Sequence, residues 1–175
     1  RPRHIPMSNA LATALLADFA AEAENTRKVL AAVPGDRFEW TPHEKSMSMG
    51  QIAGHLAECP TWAGAMLEPS MDFRAMPEDY RPYFPKDHAD LMATFEKNVA
   101  ALPKTLAGRD DTFMGSKWTM KKGGIVLWEP PRHAALRSML IHHWIHHRGQ
   151  LTVYLRLVGA KVPATYGPSA DEQPF

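Results

Sequence analysis

At 175 residues, 45% of them hydrophobic, the chain is long enough for one domain with a sizeable core and too apolar to be disordered. A formal net charge of +1 offers no basic field for nucleic acid, and a single cysteine, Cys59, excludes an internal disulfide. No apolar run approaches the roughly 20 residues that cross a bilayer.

The opening "RPRHIPMSNA" has basic residues but no apolar core ahead of a cleavage site, so no secretory signal and a cytoplasmic location are expected. Residues 1–7 are expected to be flexible, with Met7 a candidate natural start and the native status of residues 1–6 left open. Helical periodicity first runs from about Ser8 to Val33, through Leu11, Leu15, Phe19, Thr26 and Leu30. "VPGD" closes it, and "RFEWTPHEKS" reads as a loop.

Ser48 and Gln51 have capping-box spacing, so a second helix starts there and continues through "GQIAGHLAECPTWAGAML". Pro60 lies inside it. An interior proline costs about 3 kcal/mol, which predicts a kink or two pieces. A proline-rich connection follows. A third helix is expected over about Asp87–Leu106, with Asp87 as N-cap.

"KKGG" flanked by β-branched and aromatic residues predicts a short β-hairpin. The fourth helix starts near Pro131 and stops at Gly159, leaving residues 160–175 as an irregular tail. The expectation is an all-α fold: one four-helix-bundle domain over residues 1–175, with a small β-hairpin before the last helix.

"HHWIHHRGQ", residues 142–150, holds four of the nine histidines. On a wheel with His143 at zero, Leu136, Met139, Leu140, Tyr154, Leu157 and Val158 centre an apolar stripe near 20°, roughly. His143 and His147 straddle that centre. His142 and His146 fall on its shoulder, and Ser138, Arg148, Thr152 and Arg156 on the far side. Two inward histidines at i and i+4 can converge on one ion. On the second helix, Ile52, Cys59, Trp62 and Met66 lie within about 60° of His55, which could complete a three-histidine set with an open coordination position.

Zinc and nickel suit such a site first, with iron and manganese as further options. Cys59 could add a fourth ligand but reads more readily as a small buried apolar residue. Glu58 could act as a base or orient a ligand, and Glu22 could support one. For both, a solvated carboxylate is the plainer expectation.

"HWIHHRGQLTVYLRLVG" followed by "VPATYGPSADE", with "TRKVLAAVPGDRFEWTPHEKSMSMGQIAGHLAE" upstream, closely resembles the DinB-like proteins of the DinB/YfiT superfamily. The resemblance covers most of the chain and is weakest from about Met71 to Thr112. It implies a four-helix bundle of up-down-down-up topology, common homodimerisation, and a divalent metal held by His55, His143 and His147. Relatives often carry Asn where this chain has His142. Activities implied by the superfamily include transferases and an isomerase that use small thiols such as mycothiol or bacillithiol.

The leading expectation is therefore a metal-dependent enzyme of the thiol S-transferase type, acting on a small molecule with a low-molecular-weight thiol as partner. The first alternative is hydrolysis by a metal-activated water, with Glu58 carrying the proton. The second is a metal-binding dimeric module without catalysis, docking through Ile141 and Ile145, which the wheel puts opposite the apolar stripe.

Overall fold

The computed structural model describes residues 8–173; residues 1–7, expected to be flexible, lie outside that range. Helices α1 (Ala10–Ala31), α2 (Met49–Glu58), α3 (Ala63–Leu67), α4 (His88–Thr105), α5 (Asp111–Gly115), α6 (Arg132–Leu136) and α7 (His143–Leu157) frame a core that includes Leu15, Phe19, Leu56, Phe95 and Trp144. Helix α1 packs on α4 and α7, and α2 packs on the same two, so the long rods close a ring α1–α4–α2–α7. Among the described residues, no helix is long and apolar enough to cross a membrane.

The predicted helix starts appear with their chemistry. Ser48 Oγ accepts the Gln51 N–H at 3.2 Å and Gln51 Oε1 accepts the Ser48 N–H at 2.7 Å, which completes the capping box. Asp87 caps α4 by accepting the Asp90 N–H. Helix α1 has no side-chain cap from its own Asn9. Its free Leu11 N–H is taken by Asp111 of α5 instead, at 2.9 Å, a helix that the sequence left inside the hairpin region.

Pro60 breaks the second rod into α2 and α3 with a 3₁₀ stretch, Cys59–Trp62, between them. In an unbroken helix the Leu56 carbonyl would accept the N–H of residue 60, and proline has none. Trp144 Nε1–H donates to it at 2.8 Å. Asn98 Nδ2 donates to the neighbouring Ala57 carbonyl at 2.9 Å. Trp144 also stacks on Phe19, with ring centroids 4.7 Å apart, so one fully buried indole ties α7 to α1 and to the break in α2.

The hairpin is present as β2 (Thr119–Lys122) and β3 (Ile125–Trp128), turning at Gly123 and Gly124. Their φ angles of +60° and +80° are the left-handed pair that a tight hairpin turn requires. The proline-rich connection supplies a third strand, β1 (Ser70–Asp72), parallel to β2. The Asp72 carboxylate accepts the N–H groups of Gly123 and Gly124 at 2.8 and 2.9 Å and pins the turn.

The last rod departs from the wheel. Helices α6 and α7 are joined by a π stretch, Arg137–His142. Each i→i+5 turn holds about one residue more than an α turn, so a constant-angle wheel slips by ~100° across it. Downstream of the slip, the buried face is Trp144, Arg148, Leu151, Tyr154 and Leu155, while Val153 and Leu157 are exposed.

Two expectations are thereby corrected. Arg148 belongs to the interior, 2% exposed, rather than the far side. Ile141 is buried and Ile145 packs against the core, so this pair does not form an outer docking face. The tail, residues 160–173, has no helix or strand and is held to α7 by an Arg156–Asp171 ion pair at 2.6 Å.

Candidate metal centre

Helix α2 presents His55, and α7 presents His143 and His147. Because the core stripe of α7 is centred on Trp144 and Arg148, His143 and His147 stand at its margin and are half-buried, as is His55. A marginal position leaves one side of the cluster open to what approaches from outside. His55 Nε2 lies 2.7 Å from His143 Nε2. The His147 ring centroid is 4.7 Å from that of His55 and 4.4 Å from that of His143. His142 and His146 are exposed.

The electrostatics keep the rings neutral. Burial, reinforced by the neighbouring imidazoles, lowers the pKa of His55 and of His143 to about 4. Burial also lowers that of His147. His147 Nδ1–H donates to Gln150 Oε1 at 2.7 Å, which orients the ring and leaves Nε2 with a free lone pair. Gln150 was not anticipated; its i+3 position after His147 was the available signal.

The donor set fits a transition metal. Neutral imidazoles bind zinc, nickel, copper and iron well, and the short Nε2–Nε2 contact, a hydrogen bond in which one ring donates and the other accepts, holds two candidate donor nitrogens side by side. Cys59 is fully buried, and one ligand atom each from His55, Cys59 and His143 lies within 4.8 Å of the others. Burial, then the Glu58 charge, pushes the Cys59 thiol well above its ordinary pKa. A thiol ligates as the thiolate, and a bound dication would offset that rise, so Cys59 combines a packing role with a place in the candidate donor set.

Glu58 is the last residue of α2, immediately before the 3₁₀ break. Its carboxylate accepts the Tyr80 hydroxyl at 3.3 Å and the Tyr83 N–H at 3.4 Å. It lines a cleft of about 380 Å³ together with Trp62, Met66, Met71, Trp118 and Met139, among others. Trp62 is the shared wall: its ring centroid is 5.1 Å from that of His55 and 5.2 Å from that of His143. A pocket walled by Trp62 and rimmed by the hairpin and the connection after the second helix is what the sequence suggests; the cleft draws on Trp62, α3, β1, the connection through Tyr80 and the π stretch, and reaches the hairpin only through Trp118, just before β2.

Glu22 takes neither role considered for it. Its carboxylate accepts Arg148 Nη2–H at 2.6 Å and the Tyr166 hydroxyl at 2.6 Å. Arg148 also donates to Thr26 Oγ1 at 3.0 Å, so this network locks α7, α1 and the tail together behind the histidines.

A ring of four helical rods that gathers histidines from two of them defines a class of bundle with a candidate metal site at its edge. Residues 7–174 match the DinB family, and the chain belongs to it. It is 25% identical over 162 residues to the uncharacterized protein YrdA of Bacillus subtilis, covering 90% of this chain and 89% of that protein. Among solved structures it is similar to a DinB-like protein from Bacillus cereus, with a TM-score of 0.65, 21% identity, and coverage of 87% of this chain and 95% of the other. It is also similar to the DinB-like protein YjoA of B. subtilis, with a TM-score of 0.63, 20% identity, and coverage of 86% and 96%.

Proposed function

We propose that His55, His143 and His147 hold one divalent transition metal, zinc or nickel foremost, and that the protein is an enzyme of the thiol S-transferase type. The observation that carries this reading is the pair of neutral imidazoles His55 and His143, 2.7 Å apart at Nε2, with the His147 ring beside them and an apolar cleft that shares Trp62 with them. A metal held there supplies positive charge that makes a nearby thiol more acidic.

The chain's own residues do the rest. Burial keeps the imidazole lone pairs available, Gln150 holds the His147 ring in register, and the cleft takes the apolar part of an electrophile out of water. In the transfer, the thiol sulfur forms a bond to the electrophilic carbon. The leaving group departs with its electron pair, and the thiol proton passes to solvent.

The test is turnover of a small thiol with an aryl halide, with and without chelator. The reading expects conversion that chelator abolishes and added zinc or nickel restores. Conversion that ignores chelator contradicts it. Turnover of an ester that needs no thiol moves the assignment to hydrolysis, with Glu58 as proton carrier.

A further inference from the structure

The cleft beside the histidines has an unusual electrostatic character. Its volume, about 380 Å³, suits a small molecule. Its walls are methionine and aromatic side chains, and its mouth is rimmed by Phe73, Met76 and Tyr80, which are 42%, 37% and 40% exposed. Glu58 is the one charged residue among those lining it.

Among the described residues, no lysine, arginine or histidine forms an ion pair with Glu58. Its two hydrogen bonds, at 3.3 and 3.4 Å, are long for a carboxylate acceptor. Two basic side chains of the cleft-forming segment are engaged elsewhere. Arg81 donates to the carbonyls of Glu78 and Tyr80, and Arg74 lies against the Gly123 turn. The negative field of Glu58 is felt inside the cleft, where it helps, after burial, to raise the Tyr80 hydroxyl.

An apolar cavity with aromatic faces and one carboxylate is complementary to a particular ligand chemistry. A ring or alkyl body fills the methionine-lined interior, and a positive head pairs with the carboxylate and with the electron-rich ring faces. The same charge repels a carboxylate or sulfonate head. We infer that the cleft binds a lipophilic cation, an apolar body carrying an ammonium-type head placed at Glu58. This names the electrophile class of the proposed transfer and rests on that reading for its catalytic meaning. The binding itself does not depend on the metal.

Calorimetry of the full chain with three matched probes tests it: naphthylmethylammonium, naphthylmethanol and naphthylacetate. The ammonium is expected to bind roughly tenfold more tightly than the acetate, the scale of a partly desolvated charge contact. Glu58→Gln brings the two to within about twofold and leaves the alcohol unchanged. Ala65→Trp, which fills the cleft, removes binding of all three.

Equal binding of ammonium and acetate to the parent overturns the inference. So does a preference that survives Glu58→Gln, binding that survives Ala65→Trp, or no binding of the ammonium. His143→Ala in the presence of chelator keeps the ammonium preference. If it does so while turnover is absent in the parent, the transferase reading fails and the ligand class stands.

Discussion

His147 and Arg148 are neighbours in the chain and opposites in environment. Arg148 points inward and has every strong partner it needs: the Glu22 carboxylate, the Glu22 carbonyl, Thr26 Oγ1 and the Tyr166 hydroxyl. His147 points along the edge into a group of neutral, closely spaced imidazoles whose hydrogen bonds are few: His55 with His143, and His147 with Gln150. A satisfied buried network holds a fold together. Half-buried imidazoles bonded chiefly to one another serve poorly as glue and well as ligands. The helix that carries both therefore separates its two tasks by one residue's rotation.

That contrast can be broken from either side. The largest expected effect is on stability at the satisfied side. Arg148→Met leaves Glu22 without its charge partner, and removing one member of a buried pair typically costs about 3–5 kcal/mol. Urea denaturation of the metal-free protein should show that loss, and a loss within the range of ordinary surface substitutions would mean the network is ornamental.

At the histidine side the expected result is reversed. His147→Ala leaves the metal-free protein close to parental stability and removes the gain on adding metal. In the parent that gain is about 2.7 kcal/mol at a hundredfold excess over Kd. Thermal melts with and without zinc or nickel measure both quantities, and an undiminished gain in the variant contradicts the assignment of His147.

Proton binding sharpens the contrast next. With folded pKa values of about 4 against an ordinary 6.5, His55 and His143 are protonated in the unfolded chain before the folded one. Their contribution to metal-free stability is complete above about pH 6.5 and is lost as pH falls toward 4. The urea midpoint should therefore drop across that window, and by less in the His55→Gln/His143→Gln double variant. Parallel drops in both proteins would show that other groups account for the acid limb.

The smallest effect lies at the start of α2. Ser48→Ala removes one half of the capping box and costs about 1 kcal/mol. Because α2 carries His55, the variant should keep its metal-induced stabilisation while its baseline falls.

The helix starts, the Pro60 break and the Gly–Gly turn were legible in the sequence because each depends on local chemistry: a cap, a missing N–H, a left-handed backbone. The three histidines were legible through spacing and through the likeness to a family. The face they occupy was not. The apolar stripe that put His143 and His147 at its centre was drawn with residues from both sides of the π stretch, and one of them, Leu157, is in fact exposed.

The histidines kept their place because two residues four apart stay together whatever the phase of the helix. Arg148 was misread for the same phase error, and no local signal marks a buried arginine whose partners are Glu22 and Tyr166, far away in sequence. The β1 strand was invisible for a related reason, since its partner β2 comes from a separate segment.

The central claim, that three imidazoles from two helices share one cation, is tested most directly by elemental analysis of protein purified without a nickel column, alongside His143→Ala and His147→Ala. A stoichiometric transition metal in the parent that is lost from both variants is the predicted result. Parent protein that stays metal-free after incubation with zinc and with nickel, or variants that retain the parent's content, would contradict it.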